Sequence, residues 1–194
     1  MIDKKVIILI GPICAGKGQV AQILHQYYGY TILRFSQILE EEMILRKIPI
    51  IRENYQQLGN DLRRELGSNA LAIKLVDQIN NKDIDKVVID GARNPEEIFY
   101  IKNSLPNSTI ISLVLEAPRQ IRFQRLLERQ RQGDPIKFED FQEKDDIEMY
   151  GDGTPHSQRI IDCIKVADFK IENTKNLEHL QQQLENILKS NNLT

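Results

Sequence analysis

The strongest constraint in this chain is a glycine-containing loop near its start, between an apolar run and a helical pattern. Residues 6–10 (VIILI) are continuously apolar, which is typical of a strand buried on both faces of a parallel sheet. Residues 11–18 (GPICAGKG) follow at once, and a helical pattern of apolar residues begins at Val20. Glycines let successive backbone N–H groups converge on one anion, and the helix N-terminus adds positive potential there. We therefore expect a phosphate group to bind at this loop.

A buried strand, this spacing of residues and a following helix are together the context that a P-loop requires. Lys17 is expected to reach the β- and γ-phosphates of ATP. The residue after it, Gly18, lacks the Ser or Thr hydroxyl that ligates Mg²⁺ in most P-loops, so the metal is expected to rest on water and nucleotide oxygens. The predicted nucleotide contacts are Gly11, Pro12, Ile13, Cys14, Ala15, Gly16, Lys17, Gly18 and Gln19.

Further strand-like runs alternate with helical patterns along the rest of the chain. They occupy residues 30–35, 86–90, 109–115 and 168–171. This alternation predicts an α/β fold in which right-handed crossovers join parallel strands. Three polar residues are expected to cap helices, namely Ser36, Ser68 and Asn94. We expect one helix over residues 118–131 and a frayed tail over residues 190–194.

An acidic residue ends the run at 86–90 (KVVID), and an arginine follows three residues later. Ligands bind outside the carboxyl ends of the strands in an open α/β sheet. Asp90 is therefore placed to organise Mg²⁺ through water, as the second acidic motif of P-loop enzymes does. Arg93 can direct two parallel N–H groups at a second phosphate.

Charge is distributed unevenly in the second half of the chain. Residues 119–131 (RQIRFQRLLERQR) hold five of the twelve arginines, and Arg122, Arg125 and Arg129 share one helical face. Like charges so placed repel unless an anion lies between them, which favours a site of phosphoryl transfer. Residues 132–157 are strongly acidic and are predicted to form a mobile flap. Our hypothesis is that some of these acids hold the arginines in place when no nucleotide is bound.

The overall composition argues against several classes of protein. The chain has 26 Lys plus Arg against 28 Asp plus Glu, a net charge of −2, which does not suit a coat for polymeric nucleic acid. No apolar run approaches the roughly 20 residues that span a bilayer, and the first ten residues lack a signal-peptide cleavage pattern. Cys14 and Cys163 have no metal-ligand spacing and are expected to be reduced thiols of a cytoplasmic protein. The expected partner is a small nucleotide, and the expected state is a monomer or a homodimer.

These motifs resemble the nucleoside monophosphate kinase branch of the P-loop proteins. GPICAGKGQVA is similar to the adenylate kinase loop, and DGAR is similar to that family's Asp-Gly-X-Pro-Arg, shortened by one residue. A closer resemblance covers nearly the whole chain. It is to small adenylate-kinase-related proteins, among them deoxynucleoside monophosphate kinases and, more loosely, dephospho-CoA kinases. The signs shared in family order include Arg52-Glu53-Asn54, IDGARNPEEI, RFQRLLERQR and Asn173.

The resemblance implies a fold and roles for individual residues. The fold is a five-stranded parallel sheet flanked by helices, with an acceptor-binding helical segment at residues 36–80 and a small lid at residues 132–157. Arg93 grips the acceptor phosphate, and Arg125 and Arg129 match the paired arginines at the start of the adenylate kinase lid. The implied catalytic residues are Lys17, Arg93, Arg125 and Arg129. The implied acceptor contacts are Ser36, Arg52, Arg63, Asp90 and Arg93.

The function predicted from these features is Mg²⁺-dependent phosphoryl transfer from ATP to a (deoxy)nucleoside monophosphate or a similar small phosphorylated acceptor. Two alternatives stay open. A dephospho-CoA kinase needs a carboxylate base for its hydroxyl acceptor, and Asp3 lies before the first strand rather than after it. A non-catalytic nucleotide-binding protein or regulatory ATPase would bind nucleotide without acceptor-dependent turnover.

Overall fold

One parallel sheet organises the chain. The computed structural model describes residues 4–131 and 133–194, without the side chains of residues 52 and 53. Five strands lie in the order β2-β3-β1-β4-β5, and each neighbouring pair is parallel. The strands are β1 (Lys4–Ile10), β2 (Thr31–Arg34), β3 (Lys86–Asp90), β4 (Ser108–Glu116) and β5 (Phe169–Glu172). The predicted α/β class and five-stranded parallel sheet are confirmed.

Helices cover both faces of this sheet. They are α1 (Lys17–Tyr28), α2 (Phe35–Arg46), α3 (Arg52–Leu66), α4 (Ala70–Asn81), α5 (Pro95–Ser104), α6 (Arg119–Arg129), α7 (Phe138–Tyr150), α8 (Ile160–Lys165) and α9 (Leu177–Ser190). One face is covered by α2 to α5 and α8, and the other by α1 and α9. Among the described residues, no helix combines the length and the apolar character needed to cross a membrane.

The central strand β1 supplies both halves of the core. Val6, Ile8 and Ile10 face α2 to α5, and Ile7 and Leu9 face α1 and α9. All five side chains are completely buried. A continuous apolar run suits this position because β1 has a neighbouring strand on each edge and helices on each face. Each such side chain contributes roughly 1.5–3 kcal/mol on burial.

One of the three predicted helix caps is confirmed. Asn94 caps α5, since its side-chain oxygen accepts the N–H of Glu96 at 3.1 Å. The caps predicted at Ser36 and Ser68 are wrong. The chain turns directly from β2 into α2, so the cap position falls on Arg34 and Ser36 lies inside the first turn. Asn69 takes the cap position of α4, and Ser68 Oγ instead donates to the carbonyl of Pro155 at 3.2 Å.

The segment after the arginine-rich helix contains a helix that the sequence did not predict. Helix α6 ends at Arg129, two residues before the predicted end, because Gln130 adopts a left-handed φ of 50°. Helix α7 then accounts for half of the predicted flap. Phe141 of α7 is buried and packs on Phe123 of α6, with 5.4 Å between ring centroids.

The end of the chain is also packed rather than frayed. Leu193 is completely buried in the cluster beneath α1 and α9. The hydroxyl of Tyr30 donates to the carbonyl of Leu193 at 2.7 Å. The prediction of a frayed tail over residues 190–194 is wrong. One leucine within this mostly polar run packs into the core.

Candidate active site

The loop of residues 11–18 joins the end of β1 to the first turn of α1, at the carboxyl edge of the sheet. Gly16 has a φ of 109°, in the region that favours glycine. A Cβ at Gly11 would collide with the carbonyl of Leu115, and one at Gly16 would collide with the side-chain amide of Asn173. Glycine at both positions therefore lets the loop lie directly against the ends of β4 and β5.

Lys17 begins α1, and its side chain folds back over the loop. Its Nζ donates to the carbonyl oxygens of Gly11 at 2.7 Å and Pro12 at 2.9 Å. Burial lowers the pKa of the amine, while the negative charge of Asp90 acts in the opposite direction. The amine is thus held at the mouth of the loop and within electrostatic reach of the acid that ends β3.

Asp90 lies beside Leu9 of β1 and Arg34 of β2 in the sheet register. Its Oδ1 is buried and accepts no hydrogen bond from any residue in the described ranges. A buried carboxylate oxygen is costly unless a donor or a cation completes it, and oxygen is the ligand atom that Mg²⁺ prefers. Asp90 therefore fits Mg²⁺ held through water, whereas Gly18 offers no hydroxyl to the metal.

Arg93 follows β3 and is surrounded by residues 148–159. Its Nη1 donates to Oε1 of Gln158 at 2.7 Å and lies 3.1 Å from Oε1 of Glu148. The N–H of Arg159 donates to the carbonyl of Arg93 at 2.7 Å. Burial alone would lower the pKa of Arg93, but the charge and hydrogen bond of Glu148, together with the charges of Asp90 and Glu97, raise it. The arginine predicted to grip the acceptor is therefore in contact with the predicted lid.

Glu97 of α5 supports the loop that carries Arg93, a role that sequence reasoning missed. Its Oε1 accepts from Nε and Nη2 of Arg63 at 2.9 and 2.8 Å. Its Oε2 accepts the backbone N–H groups of Arg93 at 2.9 Å and Asn94 at 3.1 Å. Arg63 thus lies behind this loop and braces it. The signal in the sequence was the Asn-Pro-Glu-Glu run, whose last glutamate completes a capping box.

Arg122 ties three elements together. Its Nη1 and Nη2 donate to the two carboxylate oxygens of Asp145 in α7 at 2.6 and 2.7 Å. Its Nη1 also donates to the carbonyl of Ile13 in the loop at 3.2 Å. Both Arg122 and Asp145 are buried. The pair therefore fixes α7 and the loop of residues 11–18 relative to α6.

Arg125 reaches the loop from the same helical face. Its Nη2 donates to the carbonyl of Asn173 at 2.8 Å, and its Nη1 lies 3.5 Å from the carbonyl of Cys14. Asn173 in turn donates through Nδ2 to the carbonyl of Ala15 at 3.0 Å. Asn173 belongs to the motifs on which the family resemblance rests, but the sequence does not predict its contact with the loop.

Arg129 is held by an acid of the following segment. Its Nε and Nη2 donate to the two carboxylate oxygens of Asp134 at 2.7 and 2.9 Å. The hydrogen bond to Asp134 raises the pKa of Arg129, and the nearby Cys14 and Glu148 act in the same direction. With the pairs that Arg93 and Arg122 form, acids of residues 134–148 thus pair with three of the predicted site arginines. That these pairs form when no nucleotide is bound stays a hypothesis.

The other predicted contacts lie at the same edge of the sheet or outside the description. Gly18 and Gln19 are exposed in the first turn of α1, and Ser36 is half-buried in the first turn of α2. The side chain of Arg52 lies outside the described residues. The roles of these residues stay predictions.

Comparisons with known proteins agree with this arrangement. A family model described as an AAA domain matches residues 10–142. The chain is 30% identical over 186 residues to a UPF0200 protein of Pyrococcus furiosus, with 94% of this chain and 95% of that protein covered. A crystal structure of TT1252 from Thermus thermophilus has a TM-score of 0.58 at 18% identity, covering 97% and 98% of the two chains. Shikimate kinase from Acinetobacter baumannii has a TM-score of 0.57 at 15% identity, covering 99% and 96%.

Proposed function

The chain belongs to the UPF0200 family and to the AAA domain family of P-loop proteins, and from that membership we propose that it is an ATP-dependent phosphotransferase. Its acceptor is a (deoxy)nucleoside monophosphate or a similar small phosphorylated molecule. It works as a monomer or a homodimer in the cytoplasm, a location that suits two cysteines, Cys14 and Cys163, that form no disulfide in the described residues.

One observation carries the proposal. Lys17 lies in the loop after β1 and Arg93 follows β3, the neighbouring strand of the sheet, and the charges of Asp90 and Glu148 act on both. A cation suited to the donor phosphates and a cation suited to a second phosphate are therefore parts of one cluster. Phosphoryl transfer needs this arrangement, because the two phosphates must meet in line before the group moves.

The residues of this cluster divide the work between donor and acceptor. The backbone N–H groups of residues 11–18 and the amine of Lys17 bind the ATP phosphates. Asp90 orients the waters of Mg²⁺, which, when bound, offsets negative charge on the β- and γ-phosphates. Arg93 holds the acceptor. No general base is needed when the acceptor oxygen already belongs to a phosphate anion, because positioning and charge stabilisation do most of the work.

The elements around the cluster supply the rest of the reaction. Arg125 and Arg129 close on the charge of the group in transfer. Residues 36–80 form the wall of the acceptor pocket. Residues 132–157 act as the lid that excludes water and so limits hydrolysis of ATP. The contact between Glu148 of α7 and Arg93 supports the lid role, because it joins this segment to the proposed acceptor arginine.

A second candidate is transfer to a hydroxyl group, as in dephospho-CoA kinases. The observation that favours it is the carboxylate of Glu148, which lies beside Arg93 and could take the proton of a hydroxyl. Shikimate kinase, whose structure in complex with shikimate has a similar fold, gives a practical hydroxyl acceptor for comparison.

The experiment that tests the proposal measures ADP formation from ATP and Mg²⁺ with a panel of acceptors. The panel contains the common ribo- and deoxyribonucleoside monophosphates, dephospho-CoA, shikimate and no acceptor. The proposal expects ADP formation that depends on a monophosphate. A response to dephospho-CoA or shikimate alone would favour the hydroxyl candidate, and ATP binding without acceptor-dependent turnover would favour a regulatory nucleotide-binding protein.

The loop lysine provides the internal control for this panel. Lys17→Ala is expected to abolish turnover, because the amine is the charged side chain that reaches the donor phosphates. Lys165→Ala removes an exposed lysine that pairs with Asp162 on the surface and is expected to leave turnover unchanged. Equal turnover in both variants would contradict the assignment of the loop.

A further inference from the structure

Glu148 of α7 lies against Arg93, the arginine that is proposed to bind the acceptor phosphate. The residue is 8% exposed, and its Oε1 lies 3.1 Å from Nη1 of Arg93. Its charge also acts on Lys17 and Arg129. It is therefore an acid of residues 132–157 that acts on the proposed donor and acceptor cations alike.

The position of Glu148 is fixed by the rest of α7. Asp145, one helical turn earlier, accepts hydrogen bonds from Arg122 on both carboxylate oxygens and from Nε of Arg119 at 2.9 Å. Residues three apart lie on the same helical face, so the buried pair that anchors Asp145 also directs Glu148 at the cluster. On the loop side, the contact of Gln158 with Arg93 holds the arginine where Glu148 can meet it.

We propose that Glu148 occupies the position of the acceptor phosphate, so that binding of the acceptor exchanges a carboxylate for a phosphate on Arg93. This inference rests on the proposed function, and it names the class of acceptor. A phosphate dianion carries more charge than a carboxylate and offers more oxygens to a guanidinium, so it can displace Glu148. A neutral hydroxyl acceptor cannot. Glu148 therefore selects for acceptors that carry a phosphate group.

The exchange also explains how α7 can respond to the acceptor. When the phosphate takes Arg93, the carboxylate of Glu148 gives up that contact. A buried charge is costly without a partner, so the side chain of Glu148 turns from Arg93 towards the other nearby cations or towards solvent. The acceptor thus breaks one ion pair between the predicted lid and the loop that carries Arg93.

The test measures binding of inorganic phosphate by isothermal titration calorimetry, with the loop first saturated by a non-hydrolysable ATP analogue and Mg²⁺. Glu148→Gln removes the competing charge and keeps the shape of the side chain. We expect it to bind phosphate about tenfold more tightly than the unmodified chain, the size of one charge-assisted hydrogen bond. Glu143→Gln removes an exposed acid from the same helix and should leave the affinity unchanged.

With Glu148→Gln, two results would overturn the inference. One is an equal phosphate affinity in Glu148→Gln and Glu143→Gln while both still bind the ATP analogue. The other is loss of turnover with a hydroxyl acceptor in Glu148→Gln, which would make Glu148 a base. If Glu148→Gln does not fold, as judged by circular dichroism, Glu148→Asp is used, since its shorter side chain withdraws the carboxylate from Arg93. Equal affinity in that variant and in Glu143→Gln would also overturn the inference.

This binding assay needs no turnover, so it separates two failures. If the acceptor panel shows no monophosphate-dependent turnover but phosphate still binds more tightly to Glu148→Gln, the proposed function fails and the exchange stands as a property of an anion site. If turnover is present and the affinities are equal, the function stands and the exchange is wrong.

Discussion

Arg63 and Glu97 form a buried ion pair behind the loop that carries Arg93. Their side chains are 3% and 0% exposed, and Nη2 of Arg63 lies 2.8 Å from Oε1 of Glu97. The other carboxylate oxygen accepts the backbone N–H groups of Arg93 and Asn94. One carboxylate thus joins helix α3 to the turn after β3, and the predicted acceptor-binding segment to the loop that contains Arg93.

The first prediction concerns the stability that this pair provides. Arg63→Met should lower the free energy of unfolding by roughly 3–5 kcal/mol, because removal of one partner leaves a buried charge poorly compensated. The measurement is urea unfolding followed by circular dichroism. Arg64→Met is the matched control, since Arg64 pairs with Asp61 at the surface and such pairs contribute about 0–1 kcal/mol. Similar losses in the two variants would show that the buried pair has no special weight.

The second prediction concerns the dependence of stability on pH. Asp168 accepts from the N–H and hydroxyl of Ser112, both at 2.6 Å, and from Lys102 at 2.7 Å. Burial raises the pKa of Asp168, but the hydrogen bonds from Lys102 and Ser112 outweigh burial and lower it. The stabilisation is therefore complete above the unfolded pKa of about 3.9, and it is lost as the pH falls through the lower folded pKa.

Asp168→Asn should accordingly lower the free energy of unfolding at pH 7 and flatten its decline below about pH 4. The measurement is a series of urea unfolding curves between pH 7 and the lowest pH at which the chain stays folded. Asp77→Asn removes one carboxylate from an exposed position on α4 and controls for the change in net charge. If the free energy of unfolding of Asp168→Asn declined below about pH 4 as steeply as that of the unmodified chain, the contacts with Ser112 and Lys102 would not favour the charged form of Asp168.

The sequence predicted the strands of this fold better than the residues at which its helices begin. Continuous apolar runs predicted the strands because burial on both faces leaves little freedom in residue type, and β1 with its following loop is the clearest case. Asn94, followed by proline, fixed one helix start for the same reason of local chemistry. The caps predicted at Ser36 and Ser68 are wrong for reasons that lie outside their own helices. Helix α2 follows β2 directly, and the hydroxyl of Ser68 contacts residues 155 and 156, which are distant in the sequence.

Long-range pairs were beyond a reading of local pattern. Arg122 looked like a phosphate-binding arginine from its place on one helical face, yet it pairs with Asp145, which lies 23 residues away. Arg63 looked like an acceptor contact, yet its guanidinium faces Glu97, 34 residues away. The sequence pattern around an arginine is the same whether it binds a phosphate or pairs with a carboxylate. The packing of α3, α5, α6 and α7 decides which anion its guanidinium contacts.

The third prediction separates the two arginines that the sequence treated as a pair. Arg129→Ala should lower kcat by about 10²–10³, the usual cost of losing one donor to developing charge, with little change in the KM for ATP. Arg125→Ala should also raise the KM for ATP, because Arg125 contacts the carbonyl of Cys14 and, through Asn173, supports Ala15 of the loop. Steady-state kinetics with varied ATP measures both effects.

Arg131→Ala is the control for these variants, since Arg131 is exposed and lies beyond the end of α6. Its kinetics should match those of the unmodified chain. If Arg129→Ala also retains the full kcat, Arg129 serves only its ion pair with Asp134. If Arg125→Ala leaves the KM for ATP unchanged, its contacts with the loop do not shape the nucleotide site.

The measurement that tests the central proposal most directly follows the γ-phosphoryl group itself. ATP labelled in that group is incubated with Mg²⁺ and each nucleoside monophosphate, and the labelled products are separated. The account predicts label in a nucleoside diphosphate, no label there with Lys17→Ala, and a higher acceptor KM with unchanged ATP KM in Arg93→Met. Label that appears only as inorganic phosphate, at a rate independent of every acceptor, would contradict it.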